Sequence, residues 1–183
     1  MLAISWILLA GGVLSLAYAG YVITEASAYQ RIEIGKFENS KPMMQVRALA
    51  EGDVIGEIQV PRLGLKAMVV QGDSPGILRR AVGHLSRTAL PGEFGNVALA
   101  GHRDTFFRPL RQIRTGDIVT FDLPGRHFRY EVDSTRVVPP HEWRVLRAST
   151  GRDLTLITCF PFSYVGPAPS RFIVHAREIG VSP

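Results

Sequence analysis

Cys159 is the only cysteine in 183 residues, so an internal disulfide is excluded. No His-x-x-x-His or Cys-x-x-Cys pair occurs, and no metal site is expected on that account. Phosphate-loop and dinucleotide patterns are missing as well. Gly92, Gly95 and Gly101 have the wrong spacing for either, so no cofactor is expected. Glu51, Asp53 and Glu57 lie near a strand start without the loop geometry of a calcium site. The net charge of +5 comes from scattered arginines, not from one basic run. That distribution suits a solvated surface near anionic envelope polymers or lipids, and it argues against a nucleic-acid partner. Internal repeats and low-complexity tracts are absent.

The first 23 residues lack charge entirely; the earliest formal charge is Glu25. Leu, Ile, Val, Ala and Gly dominate this run, which is long enough to cross a hydrocarbon core of ~30 Å as a helix. Ala17-Tyr18-Ala19 has the small-x-small pattern of a cleaved signal peptide. The apolar run continues to Ile23, longer than an ordinary signal-peptide core, which favours an uncleaved signal-anchor over 1–23. No Lys/Arg cluster is present at the N-terminus to set the orientation. On either reading the rest of the chain lies outside the cytoplasm, as a single-pass protein of the cell inner or plasma membrane. An odd thiol in that compartment calls for an explanation.

Residues 24–51 read as a stalk, helical over 26–37 and interrupted at Pro42. A mainly all-β domain follows over 52–183. Strand-like runs are predicted at Val54–Val60, Leu65–Val70, Asn96–Ala100, Ile118–Leu123, His127–Val132, Arg136–Val138, Leu154–Thr158 and Arg171–Arg177. Pro124-Gly125 makes a hairpin of two of these. Short helices are expected at Gly76–Arg80 and Phe107–Ile113. Many short strands at regular spacing indicate a barrel or a sandwich.

A lone cysteine is ordinarily a small buried hydrophobe. Cys159, however, ends a β-forming run, and Arg171 opens the next, a cation available for a developing oxyanion. Among five histidines, His127 and His175 lie within alternating strands, and His141 follows Pro139-Pro140 in a loop. His102 differs: it follows the apolar run Val97–Ala100 and a glycine, at a strand end that a rigid scaffold can present. His84, after Gly83, is the second candidate for the base.

The segment Thr155-Leu156-Ile157-Thr158-Cys159 resembles the TLxTC signature of sortases, the cysteine transpeptidases of bacterial cell envelopes. Thr88–Glu93, Gly95-Asn96 and Ala100-Gly101-His102-Arg103 resemble the region leading to that family's histidine, and Arg171 stands where its arginine is expected. The resemblance covers about residues 52–178 and implies an eight-stranded sortase-like barrel with Cys159, His102 and Arg171 as the catalytic trio. Gly101–Thr105 running into Phe106–Leu110 is most similar to the class D type. Phe160-Pro161-Phe162 departs from Asp-Pro or Thr-Pro and looks more like sortases of Gram-negative or other diderm bacteria. By the same resemblance the donor is a protein with a C-terminal LPxTG-like sorting signal. The acceptor is an amine on peptidoglycan or a pilin lysine. Ile157, Ala100 and Ile173, with Thr158, are the expected substrate-binding residues; Thr158 as a simple β-former is an equal reading. Two alternatives remain: a non-catalytic membrane-anchored domain that binds envelope polymers, and a hydrolytic cysteine peptidase on the same fold.

Overall fold

A computed structural model describes residues 2–38, 49–147, 149–164 and 166–182. Eight strands close into one barrel: β1 (Val54–Val60), β2 (Leu65–Gln71), β3 (Val82–His84), β4 (Gly95–Ala100), β5 (Ile118–Leu123), β6 (Arg126–Val138), β7 (Arg152–Phe160) and β8 (Ser170–Ser182). Their order around the barrel is β1-β2-β3-β4-β7-β8-β6-β5. Closure leaves no free sheet edge to be protected.

The expected barrel is present, with two differences in its strands. Arg126–Val138 is one strand, where two were predicted at His127–Val132 and Arg136–Val138. A register shift between Val132 and Ser134 absorbs the extra residue as a bulge, so the ladder bends without ending. The strand count is restored by β3, three residues too short to show any alternation. The expected Phe107–Ile113 helix is a 3-10 turn over Arg108–Gln112, and Gly76–Arg80 is a four-residue helix, α2 (Pro75–Leu78).

Alternation sorts the side chains. Leu154, Leu156, Val174 and Ala176 point into the core with Phe107, Phe121, Phe128 and Tyr130. Thr155, Ile157 and Cys159 on β7, and Arg171, Ile173 and His175 on β8, therefore share the outer face. That face of two adjacent strands carries the site.

At the N-terminus, α1 (Leu2–Glu38) is a single 37-residue helix, about 55 Å long at 1.5 Å per residue. It is long and apolar enough to cross a membrane, with mean hydropathy 1.8 in its most apolar stretch. The residues expected to form a stalk thus begin as a continuation of this helix; Pro42 lies outside the described residues. The continuation touches the barrel. Gln30 Nε2 donates to the Arg80 carbonyl (2.7 Å), and Gln30 Oε1 accepts from Met68 N (2.8 Å). Met68 is on the stretch of β2 that precedes its pairing with β3, so the glutamine meets a ladder N–H that β3 does not reach. Tyr29 packs on Val70, Ile77 and Ala81, and the Arg80 guanidinium lies 5.3 Å from its ring centre.

Candidate active site

Cys159 and Arg171 are direct partners across the antiparallel β7–β8 ladder, both half-buried on the outer face. On the other side of β7, the parallel β4 pairs Ala100 with Ile157, and Gly101 N donates to the Ile157 carbonyl (3.1 Å). His102 follows two residues after Ala100, beyond the last paired position of β4 and at the barrel end where β7 reaches Cys159. Cys159 and Arg171 thus form a row across adjacent strands, with backbones about 4.8 Å apart, and His102 lies on the turn that leaves β4 at the same end of the barrel. Two residues back along the strands lies a second row, Ala100–Ile157–Ile173, apolar and on the same face. Ile173 is buried, and Ala100 and Ile157 are half-buried.

Neither His102 nor Arg171 is held by a carboxylate among the described residues. Among the described residues the imidazole of His102, an exposed residue, has no hydrogen-bond or ion-pair partner. Arg171 Nη1 donates to the carbonyls of Ala168 (3.3 Å) and Ser170 (3.0 Å), and no described carboxylate neutralises it. The other histidines are engaged elsewhere. His127 is bonded to Asp122 and His175 to Asp133, while His141 lies on a loop beside Trp143.

His84 is 1% exposed, with Nδ1 2.7 Å from Gln71 Oε1 and Nε2 2.9 Å from the Ala89 carbonyl. No substrate reaches it, so the second candidate for the base is a structural residue. Burial pushes its pKa down, which favours the neutral ring. A neutral ring donating to Ala89 must accept at Nδ1, which requires the Gln71 amide to present its NH2 there. Since the folded pKa lies below the unfolded value near 6.5, both states are neutral above that pH and stability is unaffected. Below pH 6.5 the unfolded chain takes up the proton first. Stability is expected to fall there by up to ~1.4 kcal/mol per pH unit from this residue. Urea midpoints between pH 7.5 and 5 would read it, and His84→Gln should flatten the slope.

Thr158 lies on the opposite face from Cys159, 2% exposed, with its hydroxyl donating to the Gly101 carbonyl (2.7 Å). It ties β7 to the residue before His102, so its hydroxyl is directed away from the outer face. Gly101 itself is a close approach. A Cβ there would come 2.8 Å from the Phe107 ring, whose own N–H donates to the His102 carbonyl (3.1 Å). Glycine before the histidine lets the turn fold down onto Phe107.

Arg103 was hidden among the scattered arginines but is only 7% exposed. Its guanidinium donates to the carbonyls of Pro161 (3.0 Å), Tyr164 (2.5 Å) and Gly166 (3.2 Å), clamping the loop after Cys159 to the residue after His102. Arg103 is a positioning residue. Arg103→Met leaves three carbonyls without their charged donor, at a cost of at least ~2 kcal/mol. It should lower kcat/KM by about 10- to 100-fold through misplacement of the loop. Nicking within 161–168 by limited proteolysis should rise in parallel, and Arg103→Lys, which lacks the fork, should recover only part of both. Unchanged proteolysis together with unchanged kinetics would leave the clamp without a role.

A closed eight-stranded barrel with a cysteine and an arginine paired across adjacent strands, and a histidine on the turn beyond a third, defines a class of cysteine-centred β-barrel proteins. A sortase-domain family model matches residues 58–179. Sortase D of Bacillus subtilis (strain 168) is 33% identical over 129 residues, 70% of this chain and 65% of that protein. Sortase E from Streptomyces avermitilis is 30% identical, with a TM-score of 0.64 over 73% of this chain and 93% of its own. The barrel is also similar to that of a Clostridium perfringens sortase D5 transpeptidase, with a TM-score of 0.73 over 86% of this chain and 99% of its own at 24% identity. The chain belongs to the sortase family. It spans just under two thirds of the length of the B. subtilis relative.

Proposed function

We propose that this chain is a membrane-anchored cysteine transpeptidase acting through a thioacyl intermediate. The observation that carries the reading is the register that pairs Cys159 with Arg171, with the unpartnered His102 on the turn after β4, the strand on the other side of β7. Cys159 Sγ attacks the scissile carbonyl, forming a C–S bond while the carbonyl π electrons move to oxygen. Arg171 donates hydrogen bonds to that oxyanion. As the C–N bond breaks, His102 gives its proton to the departing amine. The incoming amine then attacks the thioester, His102 takes its proton, and the thiolate leaves as the new amide forms. One hard exchange becomes two easier ones.

The donor is a protein with a C-terminal sorting signal of the LPxTG kind, whose leucine and proline suit the apolar row Ala100–Ile157–Ile173. The acceptor is a primary amine of the cell envelope, on peptidoglycan or a pilin lysine. Thr158 acts by holding Gly101, not by touching substrate. The anchor is the apolar part of α1, with the barrel on the extracytoplasmic side. Residues 24–51 join the two, and Tyr29 and Gln30 seat the helix on the barrel. Full-length protein in non-ionic detergent, given a sorting-signal peptide with and without an added amine, tests the reading by mass spectrometry of the products. A transpeptidase gives the amide product only when the amine is present. Hydrolysis that no amine diverts identifies a peptidase, and an untouched peptide with an unreactive thiol identifies a binding domain.

A further inference from the structure

Beside the His102 turn lies a cavity of about 310 Å³, lined by Leu63, Thr105, Arg108, Pro109, Arg111 and Gln112. It opens at the active end of the barrel. β2 follows Leu63 and runs parallel to β3, which is antiparallel to β4, so Leu63 is at the barrel end where β4 delivers His102. Thr105 N donates to the His102 carbonyl (3.4 Å), and Arg108 N donates to the Thr105 carbonyl (3.2 Å). Successive turns of this kind keep Thr105 within about 7 Å of His102 along the backbone.

The charge of this cavity is uncompensated. The guanidinium groups of Arg108 and Arg111, both exposed residues, make no ion pair or hydrogen bond among the described residues. The nearby acids are already engaged: Asp117 with Arg62, which also donates to the Gln112 carbonyl (2.6 Å), and Asp104 with Arg103. Two free forks beside a side-chain amide and a hydroxyl suit a carboxylate. The donor's apolar row offers nothing comparable. A bare amine, cationic in its resting form, is repelled by two arginines unless its own scaffold carries an anion.

We infer that this cavity is the acceptor subsite and that it selects amines bearing a carboxylate. The inference rests on the transpeptidase reading, because the acceptor must reach the proton-accepting His102. Arg108 and Arg111 hold the carboxylate while the free amine faces the thioester, and the apolar row receives only the donor.

The test has two arms, both on the full chain in non-ionic detergent. In the first, NMR titration of the Cys159→Ala protein measures binding of glycylglutamate and glycylglycinamide, a dipeptide amine with carboxylates and one without. Binding of glycylglutamate should be several-fold tighter, weaken with salt, and lose that advantage in R108E/R111E. This arm needs no catalysis, so it stands or falls apart from the thioacyl reading. In the second, the ratio of transfer to hydrolysis with each amine is measured for the active protein. The ratio should favour glycylglutamate by about 3- to 10-fold at low salt, as two partly exposed ion pairs allow. R108E/R111E should reverse the preference, whereas R87E/R129E, an equal charge change away from the cavity, should keep it. Indifference of the wild type to the carboxylate would overturn the inference. So would a preference surviving R108E/R111E, or one lost equally in R87E/R129E. Anions that bind in the cavity without changing the choice of amine, such as lipid or polymer phosphate, would overturn it too.

Discussion

Cys159→Ala is expected to leave the barrel folded and to reduce both cleavage of a sorting-signal peptide and transfer to an amine by at least ~10⁴-fold, more than 5 kcal/mol of transition-state stabilisation. The asymmetry between fold and activity follows from the residue's surroundings. Its side chain is half-buried on the outer face, outside the core of Leu154, Leu156, Val174 and Ala176. Losing one sulfur there leaves no sealed cavity and costs little packing. Chemically nothing replaces it. No second thiol exists in the chain, and the adjacent Thr158 hydroxyl points to the opposite face and is committed to Gly101. A covalent adduct 159-linked by mass spectrometry in the wild type should vanish with the same substitution. Residual cleavage above about one per cent of wild type, in protein shown to be free of contaminating peptidase, would remove Cys159 from the nucleophile's role.

Much of this site was legible because it is written in neighbours. A β-forming run ending in Cys159, another opening on Arg171, and a strand-end His102 are short-range patterns. Antiparallel pairing of β7 with β8 follows from their closeness in sequence and turns the first two into direct partners. The contribution of β4 is different. Its parallel pairing with β7 joins Ala100 to Ile157 across a connection that includes β5 and β6, and no periodicity announces such a contact. Order of motifs, matched to a family resemblance, supplied it instead. The features that no short-range pattern announces share one property: they are polar residues drawn into the fold by partners distant in sequence. Arg103 reads as one more solvated arginine until Pro161, Tyr164 and Gly166 turn three carbonyls towards it. Only its position directly after His102 set it apart. Gln30 likewise reads as stalk until it bonds Met68 and Arg80. Asp133-Ser134-Thr135 falls between two predicted strands, whereas β6, paired with β8 on both sides of them, takes them in as a bulge. His84 shows the converse error, a histidine read as available and found sealed in the fold.

Arg171→Ala is expected to lower kcat by about 10³-fold with a much smaller change in KM, the loss an oxyanion donor produces when it acts in the transition state alone. The prediction turns on the direction of its charge. Nη1 is occupied by the Ala168 and Ser170 carbonyls, which fix the side chain at the mouth of its own loop. No described carboxylate competes for the positive charge, so it remains available to an oxygen that becomes negative above Cys159. A guanidinium held this way needs little reorganisation when the tetrahedral intermediate forms, and that preorganisation is what alanine removes. Lysine tests the alternative that charge alone suffices. It carries the same charge on a flexible stem without the planar fork, cannot hold two carbonyls and an oxyanion at once, and should recover no more than about tenfold. A loss in KM with kcat preserved would instead make Arg171 a donor-binding residue. In that case, with the Cys159–Arg171 pairing unchanged, the oxyanion would have to be held by backbone N–H groups of the strand ends.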